Sequence, residues 1–146
     1  MKIVSNNVFF AWVETEISEG RSVRFRLKGE SMLPLIRGDR DDVVLYPCSP
    51  YELKPMDVVL FRYKGRHLLH RIIERENENL VLQGDGSFVA KEECMTHDVV
   101  GKVHFVVREN GKVVSVESWK WRFKSWLWCK LTPFRTILLR ITRLIL

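Results

Sequence analysis

The sequence predicts a mainly β domain of antiparallel strands with a short N-terminal helix and a basic amphipathic C-terminal helix. Short segments rich in β-branched and aromatic residues alternate with turn residues, and the C-terminal tail interleaves tryptophans with cations. At 146 residues, with 46% hydrophobic and 29% charged residues, the chain can bury the core of one domain. This composition excludes an intrinsically disordered protein.

The N-terminal helix is predicted over residues 6–18. Phe9, Val13 and Ile17 follow one another at intervals of four, so they lie on one face of a helix. Gly20 is a suitable residue to end that helix. The apolar face indicates an element that packs on the rest of the domain.

The period of the sequence changes to two after this helix. Val23, Phe25 and Leu27 alternate with cations, as in a strand with one buried and one solvated face. Later segments of similar composition are bounded by turn residues such as Asn110-Gly111, a strong hairpin signal. These predicted strands cover residues 41–47, 56–63, 67–73, 79–83, 99–107 and 112–118.

The net charge of +6 is concentrated in the tail. All 18 acidic residues lie in residues 1–117, whereas residues 118–146 contain seven cations and no acid. We therefore divide the chain into a near-neutral β domain (residues 1–117) and a basic aromatic tail (residues 118–146).

The tail has the pattern of a helix that lies on a membrane surface. Thr132-Pro133 is a suitable start for a helix that ends at Leu146, and one side of that helix is apolar while Arg135, Arg140 and Arg143 lie on the other. The apolar side consists of Phe134, Ile137, Ile141, Leu144 and Ile145, with Leu139 and Leu146 as exceptions. The alternatives are packing on the domain or on a second subunit, and nucleic-acid binding, which the shortage of polar amides disfavours.

The cysteines and the N-terminal segment bear on compartment and cofactors. Cys48, Cys94 and Cys129 are odd in number and far apart, which predicts neither a disulfide framework nor a zinc site, and no cofactor is expected. No segment has the pattern of a signal peptide or the length of a membrane-spanning helix. We expect a peripheral membrane protein on the cytoplasmic side.

The segment GESMLPLIRGD, residues 29–39, contains the candidate nucleophile Ser31. A serine needs an adjacent base to become nucleophilic. His70 is the best candidate because it lies within an apolar segment, whereas His67 borders a turn. Spacing alone leaves open whether Ser31 is a turn residue and His70 a core histidine.

Five landmarks in a fixed order favour the catalytic interpretation: GESMLPLIRGD, ELKPMDVVLF, LLHRII, VLQGDG and DVVGKV. Together they resemble the signal peptidase I superfamily, which includes the LexA-like self-cleaving repressors. The resemblance covers about residues 21–105 and leaves the tail unexplained. It implies a partly coiled antiparallel β-barrel and a serine endopeptidase that cleaves a leader or signal-type peptide.

The resemblance also implies roles for individual residues. A histidine stands where many members have a lysine base, so the chain is similar to the archaeal and endoplasmic-reticulum branch, with Ser31 as nucleophile and His70 as general base. Asp85 would orient the imidazole, unless the site is a Ser-His dyad. The backbone N–H groups of Ser31 and Met32 would bind the oxyanion, and Gly29 and Met32 would contact the peptide.

Two departures from the family pattern keep other functions open. No aspartate follows Asp85 until Asp98, and Met56-Asp57 replaces a second Gly-Asp pair. A non-catalytic module that binds a peptide or partner through the same fold is therefore the main alternative. A LexA-like regulator is a further one, disfavoured because the chain has no separate DNA-binding domain and no lysine in place of His70.

Overall fold

A computed structural model describes residues 6–87, 90–131 and 134–145 of the chain. The sequence predicted a mainly β domain, but the fold is mixed α/β: an antiparallel sheet of eight strands, one N-terminal helix and two C-terminal helices. The strands are β1 (Val23–Arg26), β2 (Asp42–Tyr46), β3 (Val58–Tyr63), β4 (Arg66–Glu76), β5 (Asn79–Gln83), β6 (Glu92–Met95), β7 (Val99–Val107) and β8 (Val113–Ser115). The α-helices are α1 (Asn6–Ser18), α2 (Trp119–Lys130) and α3 (Arg135–Ile145), and Pro50–Glu52 and Thr96–Asp98 form short 3-10 helices.

The sheet is open, contrary to the predicted barrel. Its strand order is β1-β2-β7-β3-β4-β5-β6, with β8 paired to β7. Closure of a barrel needs hydrogen bonds between the two edge strands. Within the described ranges β1 pairs only with β2 and β6 only with β5, so the edges do not meet.

The first helix and first strand form as predicted. Val13 and Ile17 of α1 are buried, and the helix ends in a Schellman motif in which Gly20 has a φ of +86°. Phe25 in β1 makes edge contacts with Phe9 and Phe10 of α1. The predicted apolar face of α1 therefore packs on the sheet.

The tail is more closely attached to the domain than the predicted division suggests. Ser118 caps α2 by accepting a hydrogen bond from Trp121 N–H. Trp121, Trp128 and Leu139 belong to the same buried cluster as the apolar residues of β1 and β2. The tail therefore contributes to the hydrophobic core and adds two helices where the sequence predicted one. The predicted start of the last helix, Thr132-Pro133, lies outside the described residues.

No helix in the described part of the chain is long and apolar enough to cross a membrane.

Candidate active site

The nucleophile candidate lies in a tight loop that follows β1. Ser31 is exposed, while its neighbour Met32 is fully buried and anchors the loop in the core. Gly29 has a φ of +79°, which favours glycine, and Asp39 N–H donates to Leu27 O at 2.7 Å to close the segment. The GESMLPLIRGD segment is therefore a turn structure that presents Ser31 to solvent.

A second loop, residues 84–86 of the QGDG segment, packs directly against Ser31. Gly86 N–H donates to Ser31 O at 2.7 Å. A methyl group on Gly84 would lie 2.4 Å from Ser31 O and 3.0 Å from His70 Nε2. Close packing therefore requires glycine at position 84. The backbone carbonyl of Ser31 and the Nε2 edge of His70 both pack on this glycine.

His70 is held by a carboxylate that the sequence analysis did not single out. His70 Nδ1 lies 2.5 Å from Glu92 Oε1, and both residues are buried. Opposite an ionised Glu92, which can only accept, a neutral imidazole carries its proton on Nδ1 and has Nε2 as its acceptor. The ring has the orientation and tautomer that a general base needs.

The register of the sheet brings His70 and Glu92 together. In antiparallel pairing, directly opposed residues lie on the same face of the sheet. Ile72 opposes Leu82, and Leu82 in turn opposes Glu92. His70 lies two residues before Ile72 on β4, so it shares this face with Glu92.

Asp85 occupies a different position from the one predicted. Its carboxylate accepts two 2.8 Å hydrogen bonds from Arg71 and not from the imidazole, and both residues are about 1% exposed. Burial by itself would lower the pKa of Arg71, but the charge and hydrogen bonds of Asp85 raise it. Trp128 Nε1–H of α2 donates to Asp85 O at 2.8 Å. Asp85 therefore anchors the 84–86 loop that supports Ser31.

The other histidine of β4 has a separate environment. His67 lies 2.8 Å from Glu14 Oε2 and stacks on the Phe10 ring with 4.8 Å between centroids. Both partners belong to α1, so His67 ties that helix to the sheet. It does not contact Glu92.

Ser31 and His70 both line a cleft of about 520 Å³. The cleft follows the edge of β1, where no strand pairs among the described residues. Its other lining residues are Phe9, Phe10, Arg24, Phe25, Arg26, Leu27, Lys28, Leu60, His67, Leu68 and Leu69. An extended peptide could therefore add to β1 and pass Ser31 and His70.

Two further features bear on acyl transfer. Within residues 6–87, 90–131 and 134–145, the N–H groups of Ser31 and Met32 have no hydrogen-bond acceptor. Because Met32 is fully buried, its N–H would reach an oxyanion only after the Ser31 loop moves. The same ranges contain no hydrogen bond from the Ser31 hydroxyl to His70. Nor do the described residues contain a group of His, Cys, Asp and Glu side chains that could hold a metal ion.

The sequence analysis did not identify Glu92 as a site residue because it did not predict β6. The segment Glu92–Met95 reads EECM, which is polar and has no clear alternation, and nothing in it distinguishes the buried Glu92 from the exposed Glu93. The strand forms because β5 offers it a partner edge. The signal that could have identified Glu92 was the presence of an acidic residue shortly after the Gly-Asp-Gly turn.

No protein-family model matches this chain, and no curated protein matches it significantly. The chemistry of the site is therefore inferred from its residues.

Proposed function

We propose that the protein is a serine endopeptidase of the signal peptidase I type, with Ser31 as nucleophile, His70 as general base and Glu92 as the acid that orients His70. The observation that carries the proposal is the buried His70–Glu92 pair at 2.5 Å. The Nε2 edge of His70 packs on Gly84, and the same glycine packs on the backbone carbonyl of Ser31.

The reaction is acyl transfer to Ser31. His70 Nε2 takes the hydroxyl proton as Ser31 Oγ attacks the scissile carbonyl, and the oxyanion accepts hydrogen bonds from the N–H groups of Ser31 and Met32. His70 then gives the proton to the leaving amine. A water molecule, deprotonated by the same ring, hydrolyses the ester and regenerates Ser31. Glu92 stabilises the imidazolium in both steps.

Asp85 has a positioning role in this proposal. It holds the 84–86 loop through Arg71 and leaves the His70 ring to Glu92. The peptide binds in extended form beside β1, with Gly29 permitting close approach to the loop and Met32 holding the oxyanion donors in place. The family assignment, with its preference for small residues before the scissile bond, rests on the sequence landmarks.

The test is cleavage of leader-type peptides that have small residues at −1 and −3 by the wild type and by Ser31→Ala, His70→Ala and Glu92→Gln. The proposal predicts cleavage that Ser31→Ala and His70→Ala both abolish. A serine-directed fluorophosphonate should label Ser31 in the wild type and label His70→Ala far more slowly. Absence of both cleavage and labelling, with the proteins folded, would overturn it.

A non-catalytic peptide-binding module is the second candidate. It is favoured by the missing hydrogen bond between Ser31 and His70, although such contacts often tighten only when substrate binds. Such a module would bind leader-type peptides equally well as wild type and as Ser31→Ala, and the fluorophosphonate would leave both unlabelled.

A further inference from the structure

The outer face of α3 is apolar and uncovered in the described part of the chain. Leu139 is 1% exposed and packs into the core, so it fixes which side of α3 meets the domain. The opposite side carries large apolar residues, of which Leu144 is 88% exposed. The residues of this outer face are Phe134, Ile137, Ile141, Leu144 and Ile145.

The preceding helix has the same division. Trp121, Ser125 and Trp128 of α2 are buried against the domain. The other side of α2 exposes Trp119, Phe123, Trp126 and Leu127. Helices α2 and α3 thus each bury one face against the domain. Each exposes a second face of aromatic or aliphatic residues that a partner could cover.

The charge around these faces restricts the kind of partner. Residues 118–146 contain seven cations and no acid, and Lys120, Arg122, Lys124 and Arg140 are exposed. A second copy of the chain would bring the same cations opposite each other across a symmetric interface. An anionic lipid surface accepts both the cations and the apolar side chains, with tryptophans at the headgroup level.

We propose that the outer face of α3, together with the exposed side of α2, docks the protein on the surface of an anionic membrane. The 11 residues of α3 extend only about 16 Å, roughly half of the hydrocarbon thickness, so the helix lies in the interface. Its outer side chains enter the boundary between headgroups and acyl chains.

Docking would also determine the position of the active site. Arg143 Nε lies 3.0 Å from Glu30 Oε2, on the side of α3 away from the centre of its outer face, and Glu30 immediately precedes Ser31. Because a helix with its side chains is about 10–12 Å across, the Ser31 loop would lie about one helix diameter from the lipid. Docking would therefore hold the Ser31 loop, and any peptide bound at it, close to the membrane surface. This second step rests on the proposed function, whereas the docking itself does not.

Docking is tested by co-sedimentation and tryptophan emission with the full chain and two kinds of vesicle, phosphatidylcholine alone and phosphatidylcholine with phosphatidylglycerol. We expect binding and a blue shift only with the anionic vesicles, and release in about 1 M salt, where the screening length falls to about 3 Å. Arg140→Gln should weaken binding about fivefold.

Variants separate the outer face from exposed apolar residues in general. Ile141→Asn and Leu144→Asn should each weaken vesicle binding at least about tenfold, because each removes one buried apolar side chain from the lipid. Tyr51→Asn and Val113→Asn replace exposed residues outside the tail and should bind as wild type. Circular dichroism checks that all four are folded.

Any one of four results would overturn docking. A folded wild type could bind both vesicle types equally, or bind neither. It could form a stable dimer that Leu144→Asn dissociates, or it could bind oligonucleotides in preference to anionic vesicles. The position of the active site is tested separately, since vesicle-anchored peptides should be cleaved faster than the same peptides in solution. Vesicle binding without any cleavage would contradict the peptidase proposal and leave docking supported.

Discussion

Arg71 and Asp85 form a buried pair one residue along β4 from the His70–Glu92 pair. Because neighbouring side chains of a strand lie on opposite faces, His70 and Arg71 each meet a different acid. Arg71 also donates to Met56 O at 2.8 Å, so it links the 84–86 loop to the start of β3. The two acids therefore have distinct roles that mutation can separate.

Glu92→Gln should lower the rate of acylation at Ser31 at least about a hundredfold, because the amide can present its N–H to Nδ1 and favour the wrong tautomer. The rate is measured by fluorophosphonate labelling at several pH values. Glu93→Gln changes the exposed neighbour on the same strand and should label at the wild-type rate. Equal rates for both variants would contradict the assignment of Glu92.

Asp85→Asn should instead destabilise the fold. Removing one partner of a buried ion pair leaves an uncompensated charge and costs about 3–5 kcal/mol in the free energy of unfolding. Urea denaturation monitored by tryptophan fluorescence measures this loss. Asp39→Asn is the control. It breaks an exposed ion pair in which Asp39 lies 3.9 Å from Lys28, and should cost about 0–1 kcal/mol in the free energy of unfolding. If Asp85→Asn were as stable as wild type but labelled as slowly as Glu92→Gln, Asp85 would be the residue that orients His70, and its structural role would be contradicted.

Gly84→Ala should impair the site through sterics. Its methyl group would lie 2.4 Å from Ser31 O, so the Ser31 loop must shift. A displacement of about 1 Å at a catalytic group can cost about a hundredfold in rate. Gly65→Ala is the control, because its methyl group would meet nothing within 4 Å although its φ of +76° is strained for alanine. Gly65→Ala should therefore lose stability but keep its labelling rate.

Cys48 and Cys94 should react slowly with thiol reagents at neutral pH. Burial is the largest cause that raises the pKa of Cys48 to about 11 and that of Cys94 to about 12. Raised values keep both groups as thiols, so the reactive thiolate becomes common only as the pH rises above about 10. The kinetics of disulfide exchange with an aromatic disulfide, measured on Cys129→Ser, check this. Rapid reaction of the folded protein at pH 7.5 would contradict the raised pKa values of these two half-buried thiols.

Most secondary structure followed from periodicity. Helix α1 and strand β1 were predicted because Phe9, Val13 and Ile17 recur at helical spacing and Val23, Phe25 and Leu27 at strand spacing. The later apolar segments became strands for the same reason. Such patterns are local, and a side chain's preference for a buried face is enough to reveal them.

Strand pairing and the identity of the acid beside His70 are not local properties. Glu92 reaches His70 through the register of β4, β5 and β6, which depends on which strands pair and where each begins. Asp85 meets Arg71 because the 84–86 loop directs its carboxylate to Arg71 and not to the imidazole, and Trp128 of α2 holds the loop there. The amino-acid order established Ser31 and His70 as candidates and the tail as basic and amphipathic. Their surroundings, the open sheet and the uncovered face of α3 depend on contacts between residues far apart in the chain, and such contacts leave no periodic signal.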